Sequence, residues 1–125
     1  QIPNAAHGLE GGENDAMSTL AAFFRGVASE KPMPTLTWNP EVGEQALKLR
    51  MQSTVEPVEV RLWTAHSVDK DFRDDRWTKQ VLVKQGDAWQ GQTTTNGNGS
   101  VAAFGEFVFQ TENVPWSLTT LVFRN

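Results

Sequence analysis

Leu47-Lys48-Leu49-Arg50-Met51-Gln52 decides the fold class. Apolar and polar side chains alternate without a break. Successive side chains of an extended strand point to opposite faces, so Leu47, Leu49 and Met51 share one face and Lys48, Arg50 and Gln52 the other. Downstream, Val58, Val60 and Leu62 alternate with Glu59, Arg61 and Trp63. Val81 and Val83 follow, then a Gln85-Gly86-Asp87 turn and a strand carrying Trp89. Asn96-Gly97-Asn98-Gly99 is the strongest turn signal, because Asn and Gly accept positive φ at little cost. Phe104 to Phe109 and Ser117 to Phe123 read as further strands, and Thr35 to Trp38 as an early one. About seven strands with short turns predict a mainly β, immunoglobulin- or fibronectin-like sandwich preceded by one α-helix. Five tryptophans and seven phenylalanines are available to fill its core. With no tyrosine and no cysteine, neither the tyrosine corner nor the inter-sheet disulfide of antibody domains can form.

Upstream of Thr35 the texture changes. Met17, Leu20, Ala21, Phe24 and Val27 fall on one stripe of a helix of 3.6-residue period, and Phe23 broadens it. Asn14 before Asp15 reads as the N-cap. Gly26 weakens the last turns, and Pro32 and Pro34 forbid continuation, so Lys31-Pro32-Met33-Pro34 is a short stiff connector. A stripe this apolar needs a partner: the following sheet, or something preceding Gln1. Left open, it would favour self-association as a dimer.

Composition narrows the function classes. The chain has 125 residues, enough for one domain or one domain and a fragment. With 38% hydrophobic and 21% charged residues it can bury a core. A net charge of -4 provides no footprint for phosphates, which argues against nucleic acid as a partner. The absence of cysteine excludes thiol catalysis, disulfides and thiolate metal sites. No apolar run approaches the roughly 20 residues of a membrane span. Gln1 rather than Met at the start, with no signal peptide visible, leads to the expectation of a processed chain or an excised piece.

Few residues suggest chemistry on their own. Asp69, Asp71, Asp74 and Asp75 crowd one stretch, but Lys70, Arg73 and Arg76 interleave with them and the glycine of a calcium loop is missing, so local ion pairs are expected rather than a metal site. His66 has no second histidine near it. Trp63, Trp89 and Trp116 each offer a face for a sugar ring, although a core or interface position is the expected one. Gly97-Asn98-Gly99 lacks the lysine and helix of a phosphate loop. Asn98-Gly99-Ser100 is an N-glycosylation sequence that matters only in a eukaryotic secretory setting.

Two stretches carry a resemblance. Ile2-Pro3-Asn4-Ala5-Ala6-His7-Gly8-Leu9 resembles the segment bearing the catalytic histidine near the end of an α/β-hydrolase domain. Val60-Arg61-Leu62-Trp63-Thr64-Ala65, followed by Asp71-Phe72-Arg73 and Trp77, resembles the C-terminal part of the PhoPQ-activated pathogenicity-related proteins, which join an α/β-hydrolase-like domain to a C-terminal β-sandwich. The resemblance implies that residues 1–34 are the end of the hydrolase-like domain and residues 35–125 the sandwich. It implies that His7 is the triad histidine and that Trp63, Phe72, Arg73 and Trp77 face the neighbouring domain. A histidine base needs a nucleophile, in such enzymes on a Gly-x-Ser-x-Gly elbow before it, and these residues contain none. The piece alone is therefore expected not to be a hydrolase; the parent would act on an acyl substrate, or have lost activity and serve at the cell surface. The resemblance further implies a non-catalytic accessory role beside the upstream hydrolase-like domain and export to the periplasm or outside; no cofactor is expected. The competing reading is an independent adhesion module that binds carbohydrate or protein through its loops.

Overall fold

Leu47, Leu49 and Met51 lie side by side on β2 (Ala46–Ser53), each at most 1% exposed. The computed structural model describes residues 2–5, 8–30, 32–95 and 99–125. Among them are one helix, α1 (Glu13–Ala28), and nine strands: β1 (Leu36–Val42), β2, β3 (Glu59–Ser67), β4 (Thr78–Val81), β5 (Lys84–Gln85), β6 (Ala88–Thr94), β7 (Ser100–Thr111), β8 (Val114–Thr119) and β9 (Phe123–Arg124). β5 and β9 are two-residue pieces, and the other seven overlap the strands expected from the alternation, although the stretch Ser117 to Phe123 is split between the end of β8 and the start of β9. All pairs are antiparallel. The first sheet has the order β1-β2-β6-β5; the second has β4-β3-β7-β8, with β9 also against β7.

The sheets stack through their inner faces. Register places Met51 opposite Trp89 in the first sheet, and Val60 opposite Phe107 and Leu62 opposite Gly105 in the second. Leu47, Leu49, Met51 and Trp89 meet Val60, Leu62, Val101, Ala103, Phe107 and Phe109 in one cluster. The Phe107 ring stands edge-on to Trp89 at 5.7 Å and 85°, the arrangement ring quadrupoles favour. Pro40, which has no N–H to donate, sits in an edge strand, where that donor is not needed.

The alternation overran the strand ends in places. β3 begins at Glu59, so Val58 lies outside it and is exposed. Val81 and Val83 are exposed as well, and Leu82 between them is buried. There the chain leaves the second sheet for the first, and the crossing residue drops into the gap, its N–H bonded to the Val60 carbonyl at 2.9 Å. The β7–β8 hairpin turns on Glu112 and Asn113, both at positive φ (50° and 66°). That turn is normally written Asn-Gly, so Glu-Asn left no signature. The Asn96-Gly97-Asn98 part of the expected turn lies outside the described residues.

Helix α1 forms where the 3.6-residue period places it, but its cap is Gly12, two residues before Asn14. The Gly11 N–H donates to the Glu13 carboxylate at 3.0 Å, and Glu13 and Asp15 supply the acidic first turn that favours the helix dipole. The apolar stripe does not face the sheet. α1 packs on β8, with Thr19 bonded to Ser117 and Ala22 against the core, and Ala16, Thr19, Ala22 and Gly26 are half-buried small residues on it. Thr19 Oγ1 is 3.3 Å from both the Ser117 N–H, from which it accepts, and the Ser117 carbonyl, to which it donates. Met17, Phe24 and Val27 are 61% to 63% exposed, while Leu20 (48%) and Phe23 (46%) are half exposed beside a cavity between α1 and β8.

Candidate functional site: the covered outer face of the second sheet

Antiparallel pairing puts Arg61 beside Glu106, Trp63 beside Phe104 and Ala65 beside Ala102 on the outer face of the second sheet. An outer face normally meets water. Here Phe104, Ala102 and Ala65 are each 1% exposed. On this side of the second sheet, α1 packs on β8, and the loop 68–77 between β3 and β4, bonded to Asn4, brings Trp77 onto Phe104. Trp63 lies parallel to Phe104 at 6.3 Å and 12°, and Trp77 reaches over from the loop to Phe104 at 5.1 Å. Two of the residues expected at a domain boundary, Trp63 and Trp77, thus flank one buried phenylalanine.

A carboxylate stands at the centre of this face. Glu106 is 8% exposed and accepts at Oε2 from Trp63 Nε1 (2.7 Å) and Arg61 Nη1 (3.2 Å). Arg61 Nε also bonds Glu59. Burial pulls the Arg61 guanidinium down, but Glu59 and Glu106 outweigh it and hold the group above its ordinary value. A buried charge needs such partners, since one left alone costs several kcal/mol (about 3–5). Glu106 also borders a cavity of about 520 Å³ between α1 and β8, with Asp15, Ala16, Leu20, Phe23 and Leu118 among its walls. The position of Glu106 was visible in the sequence as one acid inside the run Ala102-Ala103-Phe104-Gly105-Glu106-Phe107.

Phe72 and Arg73 stand on the loop 68–77, Phe72 half-buried and Arg73 exposed. The loop is braced from within. The Asp71 N–H donates to Asp69 Oδ1 at 3.0 Å, and Arg73 donates from Nε to Asp71 Oδ1 at 2.8 Å and from Nη2 to Asp71 Oδ2. The guanidinium, with the Arg73 N–H, holds the Asp71 carboxyl at about 2. The bonds from the Asp71 N–H and the Ser67 hydroxyl depress Asp69 as well. A depressed carboxyl stabilises the folded form above its unfolded value, and that contribution is lost as pH falls through the folded value. The loop should therefore hold at pH 5 and loosen between about pH 4 and pH 2. Carboxyl ¹³C titration should give Asp71 a midpoint of about 2, and Arg73→Ala should return it toward the ordinary 3.8. A midpoint unmoved in that variant would assign the shift to the backbone donors instead.

The loop's other anchor is Asn4. Its Nδ2 donates to the Trp77 carbonyl at 3.0 Å, and its Oδ1 accepts from the Trp77 N–H at 2.9 Å. Sequence reasoning missed this residue, because nothing local marks a partner 73 positions away. His7 lies outside the described residues. Of the tryptophans weighed for sugar stacking, Trp89 and Trp116 are in the core, Trp116 against Phe109 at 4.8 Å. His66 is exposed. Among the described residues no helix is long and apolar enough to cross a membrane.

Comparison with known proteins gives three findings. The family model described as PhoPQ-activated pathogenicity-related protein matches residues 1–73. "Autocrine proliferation repressor protein A" of Dictyostelium discoideum is 31% identical over 80 residues, which are 60% of this chain and 16% of that protein. The chain thus spans about a sixth of the length of this curated relative. Among solved structures, a Br derivative of BhCBM56 aligns at a TM-score of 0.48 and 9% identity, covering 75% of this chain and 94% of that one. A carbohydrate-binding module family 56 β-1,3-glucan binding domain aligns at 0.42 and 14% identity, covering 73% and 98%.

Proposed function

This chain belongs to the PhoPQ-activated pathogenicity-related protein family, and from that membership we propose that it is the C-terminal accessory part of a longer, exported member. In this reading residues 1–34 complete an α/β-hydrolase-like domain and residues 35–125 are a sandwich packed on it. His7 would serve as general base, with nucleophile and orienting acid supplied by preceding residues, in acyl-transfer chemistry on an ester or amide. The sandwich takes no part in bond making; it shapes and steadies the neighbouring domain through Trp63, Phe72, Arg73, Trp77 and α1.

The observation that carries the reading is the exposed face of α1. Met17, Leu20, Phe24 and Val27 recur at helical spacing and are all about half exposed or more, and a contiguous apolar face of this kind marks a contact surface.

The test is Met17→Asp combined with Phe24→Asp, made in this chain and in a longer family protein containing it. In this chain both positions are on the surface, so each change should shift stability by no more than about 0.5 kcal/mol. In the longer protein the two side chains would be buried between domains, and burial of such side chains contributes about 1.5–3 kcal/mol each. The longer protein should therefore lose about 3 kcal/mol or more in denaturant unfolding. Equal small losses in both proteins would remove the domain contact from α1.

A further inference from the structure

We propose that the cavity between α1 and β8 is a binding site for a small amphiphilic cation: a protonated amine on an apolar body, with its ammonium on Glu106. Such a site is independent of whether the longer protein performs acyl transfer.

Shape and charge both point there. The cavity of about 520 Å³ falls in the size range of small-molecule sites, which are concave, largely apolar and carry a few placed polar groups. Ile2, Pro3, Ala16, Leu20, Phe23 and Leu118 give it apolar wall from the segment 2–5, α1 and β8. Among the described residues lining it, the charged ones are both acids, Asp15 and Glu106. Glu106 is 8% exposed, so an ion pair formed there is little weakened by water. Trp63 and Arg61 both donate to its Oε2, and no described residue donates to Oε1, which leaves that oxygen as the acceptor for a guest. Arg61 does not answer the whole charge, because Glu59 shares it, and Arg61 itself lines a separate, smaller cavity of about 270 Å³. A charge-assisted N–H···O bond to a carboxylate holds an ammonium and selects against an acid. A metal ion fits less well, since it takes several oxygen ligands, and among the described residues no three acidic or histidine side chains stand close enough to hold one. Leu20 and Phe23, each about half exposed, belong to this wall and to the helix that offers its apolar face to a neighbouring domain, and ligand sites are often found at such boundaries.

The probe is n-octylammonium, titrated into this chain with n-octanol and octanoate as matched controls and followed by ¹H–¹⁵N NMR. The Trp63 indole N–H is the specific reporter, since it donates to Glu106. Octylammonium should move that signal together with the Thr19 and Leu118 amides. It should bind about tenfold more tightly than octanol, and octanoate should bind more weakly than either. Asp15→Asn, on the surface, should weaken octylammonium about threefold and leave octanol unchanged. Glu106→Gln should bring octylammonium down to the octanol level; should the buried pair not tolerate that change, the Asp15→Asn and octanol arms decide. Equal affinity for the ammonium and the alcohol, or shifts confined to Met17, Phe24 and Val27, would overturn the site. Binding by this chain that vanishes in a longer family protein would overturn it too, because the preceding domain would then fill the cavity.

Discussion

Phe107→Ala should lower the unfolding free energy by about 3–5 kcal/mol, the usual range for truncating a fully buried aromatic ring. The ring is 0% exposed. It sits on β7, the 12-residue strand that pairs with β3, β8 and β9. It also makes the edge-on contact to Trp89 that joins the two sheets. Such a contact is worth about 0.5–1.5 kcal/mol beyond the area it buries. A small domain has only about 5–15 kcal/mol in total, so this one change should consume a large part of it. Urea unfolding followed by tryptophan emission reads the loss directly. A cost below about 1.5 kcal/mol would mean that the sheets do not meet through this ring.

Gly105→Ala adds one methyl and should cost about 1–3 kcal/mol by overpacking. The new Cβ would stand 1.9 Å from Met51 Sδ, 3.0 Å from its Cε and 3.4 Å from Thr120 Cγ2. Met51 is itself 0% exposed and cannot swing into solvent. Gly105 is pinned as well, its N–H donating to Thr120 Oγ1 at 3.0 Å and its carbonyl accepting from the Thr120 N–H at 2.9 Å. Met51→Ala alone leaves a cavity and should cost about 2–5 kcal/mol. The two changes relieve each other, so the double variant should be less destabilised than the sum by about 1 kcal/mol or more. Additivity within about 0.5 kcal/mol would show that methionine and glycine do not share this space. Gly91 meets the same constraint from the opposite sheet, where a Cβ would be 2.9 Å from Leu62 Cδ2.

Much of the fold was legible before any coordinates. Burial of one face of an antiparallel strand imposes a period of two, which is why Leu47, Leu49, Met51, Val60 and Leu62 were placed correctly. The same rule misled at Val58 and Val83, because alternation can continue past the residue where pairing stops, and at Val81, which pairs with Arg61 in the edge strand β4 and is still exposed. Helix α1 was legible from its period, but its orientation was not. The stripe told which side of the helix wants to leave water, and it could not tell that Thr19 and Ala22 would take the sheet instead. The turn at Glu112-Asn113 was silent because neither residue is the glycine that positive φ usually selects. At the site, Trp63 and Trp77 were singled out, and Phe104 between them was read only as one residue of a strand.

Local pattern alone was enough for a single amphipathic helix followed by a two-layer β-sandwich, since the 3.6- and 2-residue periods are written in consecutive side chains. It was enough, too, to show that no thiol chemistry and no Gly-x-Ser-x-Gly nucleophile reside here. Tertiary structure alone decided the rest: the covered outer face, the Glu106 carboxylate held by Arg61 and Trp63, the outward turn of the α1 stripe, and Asn4 on Trp77. The Glu106 bonds join partners 43 and 45 positions apart, the Asn4 bonds 73 and the Thr19–Ser117 bonds 98. Hydrogen bonds and packing act over a few ångströms of space, so contacts between residues so far apart in the chain appear only once it has folded.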